Sequence, residues 1–144
     1  MALTVKKAVF WRKDVEDQPG VLAEILEPLA QARANFKAVV GYAFPGGGRA
    51  AINLYPVTGA KVTAAARGQG LAADATATLL VEGDDRPGLG REIASAISGA
   101  GINLRLVIAQ VVGRRFSAIL GFRNEADARK ASTLIKKAAR PARR

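Results

Sequence analysis

The stretch DRPGL at residues 85–89 decides the fold of this chain, and DQPGV at residues 17–21 is an earlier copy of it. Each copy follows a short run of β-type residues and opens a run in which apolar residues recur at helical spacing. Proline fixes φ and lacks an N–H, which suits a helix start, while glycine lets the backbone turn tightly and approach a ligand. Both copies therefore predict a strand, a tight turn and a helix that begins at the proline.

The likeness extends well beyond the two turns. At a constant offset of 68 residues, similar residues align without a gap over the whole helix and into the next strand. The aligned pairs are Asp17 with Asp85, Pro19 with Pro87, Gly20 with Gly88, Ile25 with Ile93, Leu29 with Ile97, Ala32 with Ala100, Asn35 with Asn103 and Val40 with Ile108. Because solenoid repeats are roughly 20 to 50 residues long, this longer period indicates a duplicated domain. We place the two domains at residues 1–75 and 76–144, the second ending in a basic tail at residues 136–144.

Residue patterns predict the same order of elements in both copies. The first copy is expected to contain strands at 8–13, 35–43 and 49–56, a helix from residue 19 that kinks or ends early at Pro28, and a helix at 58–67. The span 71–82 is expected to end the first copy and to start the second, which continues with helices at 87–100 and 125–138 and strands at 103–112 and 115–122, with Asn124 capping the last helix. The predicted fold class is α+β: two ferredoxin-like βαββαβ units in tandem, with antiparallel sheets and helices on one face.

The second copy has no evident last strand, because residues 136–144 are basic and are interrupted by Pro141. Three arrangements would satisfy the exposed edge of its sheet. A partner could fill the edge, the edge could stay bare, or residues 3–5 at the amino end could close it. The sequence leaves the choice open.

Composition argues against catalysis. The chain has no cysteine and no histidine, which excludes disulfides, thiol chemistry, imidazole metal ligands and the commonest general base. Ser95 and Ser98 lie on a helix without a basic partner, so we expect no catalytic residues and no cofactor. Glu82, Asp84 and Asp85 could hold Ca²⁺ or Mg²⁺, but adjacent acids on a turn are usually solvated, and no metal site is predicted.

The net charge of +10 is uneven, since Lys136, Lys137, Arg140, Arg143 and Arg144 lie in the last nine residues. Such a tail can be a solvated end or an arm that binds nucleic acid. The sequence contains no apolar run of the roughly 18 residues that a membrane span needs, and the first twelve residues lack a signal-peptide core. We therefore expect a cytoplasmic protein that does not interact with membranes.

Both copies resemble the ACT domain in the turn before the first helix and in the start of the second strand. The resemblance rests on Asp-x-Pro-Gly-(Val/Leu), a helix with a small-residue end, and an Asn that opens the second strand. It is carried by residues 17–21 with Asn35, and by residues 85–89 with GAGIN at residues 99–103. It covers nearly the whole chain, and the second copy is the closer match because Arg33 and Ala34 replace the usual Gly-Ile or Gly-Val in the first.

ACT domains sense small molecules, commonly amino acids, and pair edge to edge or side by side. The resemblance implies a ligand site between the turn and helix start of one unit and the second strand of its neighbour. Free N–H groups and the helix dipole would suit an α-carboxylate, an Asp would accept from an α-ammonium, and an Asn can donate and accept. The expected ligand-binding residues are Asp17, Gly20, Val21, Leu22 and Asn35 in the first copy, and Asp85, Gly88, Leu89, Gly90 and Asn103 in the second.

Each of these residues also has a purely structural interpretation. Asp17 and Asp85 could cap their helices, the glycines could relieve crowding at the turn, and the asparagines could satisfy the entry into the strand. Some ACT domains that bind amino acids carry a histidine near this turn. Val15 and Gly83 stand at the nearby positions here, so the identity of the amino acid is open.

Together these features predict a non-enzymatic regulatory protein that binds an amino acid or a similar small metabolite at interfaces between ACT units. Ligand occupancy would pass to a protein partner or to the oligomeric state, and a homodimer is expected because two sheet edges are exposed. The alternative is a nucleic-acid-binding or transcription-associated regulator that uses its basic surface and tail.

Overall fold

The computed structural model describes residues 3–139, and these divide into two units by their contacts. One unit is Val9–Ala75, which we call the central unit. The other combines the chain up to Ala8 with the chain from Thr76 onward, and we call it the flanking unit. Both names refer to positions in the sequence.

The central unit contains four strands and two helices. Its sheet has the order β3-β4-β2-β5, in which every neighbouring pair is antiparallel. The elements are β2 (Trp11–Glu16), α1 (Val21–Gln31), β3 (Ala38–Ala43), β4 (Arg49–Tyr55), α2 (Ala60–Gly68) and β5 (Ala72–Ala73).

The flanking unit repeats this plan with the order β1-β6-β8-β7, again antiparallel throughout. Its elements are β1 (Thr4–Lys7), β6 (Ala77–Asp84), α3 (Leu89–Gly99), β7 (Leu104–Val112), β8 (Arg115–Phe122) and α4 (Glu125–Ala138). Two tandem α+β units with antiparallel sheets and ferredoxin-like order confirm the predicted fold class.

Strand β1 corrects the predicted domain boundaries. The chain does divide between Ala75 and Thr76, but β1 pairs with β6, from Thr4 opposite Glu82 to Lys7 opposite Leu79. Leu3 joins the core of the flanking unit and Val5 packs against that core. Residues 3–8 therefore belong with the second copy, and of the three arrangements left open, closure by the amino end is the one observed.

The two cores are built by the apolar faces of the helices and sheets. In the central unit, Ile25 and Leu29 of α1 pack with Ile52 and Leu54 of β4 and with Val62 of α2. The corresponding core of the flanking unit includes Ile93, Ile97, Leu120, Phe122 and Ile135. At about 25 cal/mol per Å² of apolar surface removed from water, these buried side chains supply the main favourable term in folding.

Three local predictions were wrong in detail. The first strand of the central unit lies at Trp11–Glu16, later than the predicted 8–13, because Ala8 still donates its backbone N–H to the carbonyl of Thr78 and pairing with β4 starts only at Trp11. The helices begin at Val21 and Leu89 and not at the prolines. Helix α1 also continues past Pro28 to Gln31, with Leu29 fully buried, so of the two outcomes predicted at Pro28, a kink or an early end, the early end is wrong. The predicted cap is confirmed: the backbone N–H of Asp127 donates to the Asn124 side chain at 2.8 Å.

Candidate functional site

The two turns have nearly the same backbone conformation. Gly20 has φ 88° and ψ −12°, and Gly88 has φ 82° and ψ 0°, so both lie in the left-handed region immediately before their helices. A Cβ at either position would meet nothing within 4 Å. The requirement for glycine is therefore conformational, because L side chains disfavour positive φ, and not steric.

Each turn is tied to the hairpin of its own sheet. The backbone N–H of Asp17 donates to the carbonyl of Gly48 at 3.0 Å, and that of Asp85 donates to the carbonyl of Arg114 at 2.9 Å. No side chain caps α1 or α3, whose N-cap residues are the glycines, so the capping interpretation of the two aspartates is wrong. Within residues 3–139 neither aspartate carboxylate has a hydrogen bond or an ion pair, which leaves both available to a ligand.

A groove of about 320 Å³ opens beside the first turn. One side is formed by the turn and the start of α1, and the other by the edge strand β3 with the adjoining part of β4. The lining residues are Val15, Glu16, Asp17, Gln18, Val21 and Leu22 on the first side, and Gly41, Tyr42, Ala43, Ala50, Ala51 and Ile52 on the second. The structure thus brings Asp17, Val21 and Leu22 together at the groove. Gly20 does not line the groove, but its left-handed conformation shapes the turn.

The second side of the groove was not predicted from the sequence. Gly41 lies directly opposite Ile52 across β3 and β4, and both residues line the groove. Because Gly41 has no side chain, it leaves room above Ile52, which with Ala50 forms the apolar floor of the groove. Ala50 is similarly small and lies opposite Ala43. A glycine within a strand can mark a close approach of a ligand, so Gly41 was the available signal.

The flanking unit has a larger side chain at the corresponding position. Phe116 lies opposite Gly83 across β6 and β8, as Ala50 lies opposite Val15 across β2 and β4. Phe116 is 6% exposed and joins the same core as Leu89. The matched turns therefore differ in the room beside them, although Asp85, Gly88 and Leu89 hold the positions of Asp17, Gly20 and Val21.

The two asparagines lie far from the aspartates of their own units. Helices α1 and α3 each have 11 residues, which corresponds to about 16 Å of axial rise between the turn before the helix and the strand after it. Asn35 does not line the groove at Asp17, and Asn103 lines a separate cavity with Arg105 and Arg123. Aspartate and asparagine of one unit are therefore not brought together, and a shared role would need a neighbouring unit.

The second turn has more charged side chains in ion pairs than the first. Arg86 donates to the carboxylate of Glu92, with Nη1 to Oε1 at 2.8 Å, and this hydrogen bond lowers the pKa of Glu92 and raises the pKa of Arg86. At the aligned position of the first turn, Gln18 donates to Glu16 at 3.2 Å. Asp84, next to the second turn, pairs with Arg115 at 3.0 Å.

Both second strands lie at the edge of their sheets, β3 in the central unit and β7 in the flanking unit. Val39 and Val107 align at the 68-residue offset and are 44% and 54% exposed. On β7 the neighbouring Val111 and Val112 are also exposed. Apolar side chains beside unpaired backbone groups are typical of a strand that pairs with another chain.

Residues 3–139 contain neither a cluster of acids that could hold a metal ion nor a helix that could span a membrane. No group of three or more Asp or Glu residues in this part of the chain is placed to hold a metal ion, and Glu82, Asp84 and Asp85 are no exception. In the same residues, every helix is too short or too polar to span a membrane.

Two ferredoxin-like units, each with a glycine turn before its first helix, define the tandem ACT-type fold. No protein-family model matches the chain, and no curated protein matches its sequence. Solved structures do match it over nearly its full length.

The regulatory subunit of aspartate kinase from Thermus thermophilus, in its ligand-free form, matches with a TM-score of 0.64 and 16% sequence identity, covering 97% of this chain and 98% of that chain. Protein BT0572 from Bacteroides thetaiotaomicron matches with a TM-score of 0.68 and 17% identity, covering 93% and 98%. Aspartokinase III of E. coli, in complex with aspartate and ADP, matches with a TM-score of 0.57 and 14% identity, covering 94% of this chain and 32% of that chain. These likenesses confirm the ACT-type fold that the resemblance predicted.

Proposed function

We propose that this chain is a non-enzymatic regulatory protein whose central unit binds an amino acid or a similar small metabolite in the groove at Asp17. The observation that carries the proposal is the convergence of an unpaired carboxylate, a helix start and an apolar floor on one groove of about 320 Å³. This volume lies at the lower end of the range typical of ligand pockets, which suits a metabolite of amino-acid size.

Each part of the groove has a counterpart in an amino acid. The N–H of Val21 donates to the carbonyl of Gln18 at 3.4 Å, so the helix start offers the N–H of Leu22 and the positive end of the helix dipole to an α-carboxylate. Asp17 accepts from the α-ammonium. Ile52, with the small residues Gly41 and Ala50 beside it, then receives a short aliphatic side chain.

The regulatory part of the proposal rests on the edge strands. In the proposed homodimer, β3 or β7 pairs with a strand of a second copy, which covers the exposed side chains of Val39, Val107 and Val111. A second strand brought to the groove also brings Asn35 or Asn103 within reach of the turn of another unit. Ligand binding then favours the assembly that contains the complete site, and a protein partner in the cytoplasm responds to that assembly.

The likeness to regulatory subunits and domains of aspartate kinase supports a binding role over catalysis. In the Thermus thermophilus protein the matched region is a whole regulatory subunit, and in the E. coli enzyme it is about a third of the chain. The absence of cysteine and histidine from the sequence is in keeping with this proposal.

A thermal-unfolding screen against the common amino acids tests the proposal. A ligand present at 100 times its dissociation constant adds about 2.7 kcal/mol to the stability of the folded state, which is readily measured as a shift in melting temperature. Asp17→Asn should abolish the shift produced by any active compound. Glu27→Gln, on an exposed part of the same helix and away from the groove, is the matched control and should leave the shift unchanged. A screen in which no compound raises the melting temperature would contradict the proposal.

A nucleic-acid-binding role is the second candidate, because positive charge is concentrated in one unit. Among the described residues, the flanking unit has twelve Lys and Arg against six Asp and Glu, whereas the central unit has seven against six. Lys136 and Lys137 lie in the last turn of helix α4, and residues 140–144 of the basic tail, including Pro141, lie outside the described residues. Binding to nucleic acid that weakens steeply with salt and is lost on removing residues 138–144 would favour this candidate.

A further inference from the structure

A polar cavity of about 460 Å³ lies wholly within the flanking unit. It is formed by the loop after α3, the start of β7, the β8–α4 connection and the first turn of α4. The lining residues are Gly101, Asn103, Leu104, Arg105, Arg123 and Asp127. Since the 11-residue helix α3 separates this loop from the turn at Asp85, the cavity is at the other end of the unit.

Two arginines that make no ion pair within residues 3–139 line this cavity. Arg86 and Arg115, elsewhere in the same unit, are held by Glu92 and Asp84. Arg105 and Arg123, in contrast, make no ion pair within residues 3–139, although Asp127 lines the same space. Two unpaired guanidinium groups at one polar cavity form a positively charged site that an anion would neutralise.

We propose that this cavity binds a small phosphate monoester that also carries a hydroxyl or amino group. The dianionic phosphoryl group neutralises Arg105 and Arg123, whose planar donor forks match phosphate oxygens. The amide of Asn103 donates to the same group or to the ester oxygen. Asp127 repels a second anionic group but accepts a hydrogen bond from a hydroxyl or ammonium, so it selects a ligand that is anionic at one end.

The site does not depend on the proposed amino-acid groove, because it lies in the other unit and uses different charged residues. Asn103 was predicted from the ACT resemblance to contact an amino acid. Its observed neighbours are two arginines, which suit a dianion better than the single carboxylate of a zwitterion.

Titration of the full chain with inorganic phosphate, ribose 5-phosphate and ribose, at constant ionic strength and followed by NMR of backbone and arginine side-chain N–H groups, tests the proposal. Both phosphates should produce saturable shifts centred on residues 101–105 and 123–127, and ribose should produce none. The double variant Arg105→Gln with Arg123→Gln should weaken phosphate binding by about tenfold or more, equivalent to at least about 1.4 kcal/mol. Asp127→Asn should raise the affinity for inorganic phosphate. It should also reduce the ratio by which ribose 5-phosphate binds more tightly than inorganic phosphate.

The matched control removes the same two charges from exposed positions of α4 outside the cavity, as Arg129→Gln with Lys130→Gln. This variant should retain phosphate affinity, and unchanged circular dichroism should verify the fold of both double variants. Equal loss in the two double variants would assign binding to the general basic surface and overturn the proposal. It would also be overturned by the absence of saturable shifts at tens of millimolar phosphate, or by displacement of phosphate by an oligonucleotide without a terminal phosphate. None of these outcomes bears on the amino-acid screen.

Discussion

Val15 lies directly opposite Ala50 across β2 and β4, and the equivalent pair in the flanking unit is Gly83 opposite Phe116. The large residue is on the first strand of one unit and on the third strand of the other. Ala50 lines the groove beside the turn, while Phe116 is buried in the core. This exchange of volume explains how two copies with matching turns can differ in the space that they offer a ligand.

Copying the Gly83–Phe116 pair into the central unit should close the groove. Val15→Gly combined with Ala50→Phe should place an aromatic ring where the ligand is proposed to bind, and should abolish the melting-temperature shift caused by any active amino acid. The double variant should be more stable than Ala50→Phe alone, because the ring needs the room that Val15 occupies, and residues in contact are not additive. Chemical denaturation together with the ligand screen measures both effects, and ligand binding that survives in a folded double variant would contradict the assignment of the groove.

Two glycine substitutions near the second turn distinguish the effect of positive φ from the effect of steric crowding. Gly88→Ala should destabilise the protein by about 1–2 kcal/mol because alanine is strained at φ 82°. Gly90→Ala, two residues later and inside α3, should instead stabilise it by about 0.5–1 kcal/mol, because alanine is the better helix former. Both sites have nothing within 4 Å of an added Cβ. Similar effects of the two substitutions, measured by urea unfolding, would show that positive φ does not constrain this turn.

Strand β1 should stabilise the flanking unit and not the central one. Val5 packs against the flanking core, whereas its neighbour Lys6 is exposed. Val5→Ser should therefore cost about 1–2 kcal/mol through loss of apolar burial, and Lys6→Ser on the same strand should have little effect. Hydrogen exchange should report faster opening of β6 amides in Val5→Ser with β2 amides unchanged. Equal loss of protection in β2 and β6 would argue against separate stabilisation of the two units.

The ion pair between Arg86 and Glu92 predicts a dependence of stability on acid pH. The hydrogen bond from Arg86 lowers the pKa of Glu92 below its ordinary 4.5. Such a group stabilises the native state above its ordinary pKa, and this contribution is lost as pH falls through the lower native value. Glu92→Gln should therefore reduce the loss of stability below about pH 4.5.

Glu24 provides the control for this pH dependence. It aligns with Glu92 at the 68-residue offset but makes no ion pair within the described residues. Denaturation of wild type, Glu92→Gln and Glu24→Gln between neutral and acid pH measures the difference. A wild-type curve that Glu92→Gln leaves unchanged would indicate that this exposed pair adds nothing measurable, as many surface pairs do.

The sequence predicted helices and strands well where the residues of one segment alone determine its bounds. The third strands, β4 and β8, and helix α4 with its Asn124 cap lie close to their predicted bounds. The helix starts were placed two residues early because the left-handed conformation of Gly20 and Gly88 delays the helix until the next residue. Of the predicted site residues, Asp17, Val21 and Leu22 line one groove, but Asn35 lies at the other end of α1 and does not.

The sequence by itself determined the duplication, through a repeat at an offset of 68 residues, and the two glycine turns, through their Pro-Gly motifs. It also determined most helices and strands, whose residue patterns have periods of 3.6 and 2. Tertiary structure alone decided that β1 pairs with β6 and that Ala50, unlike Phe116, leaves a groove open. Both outcomes depend on which side chains from distant segments fill a common volume. Complementary packing between such segments has no local signature, so it emerges only when the chain is folded.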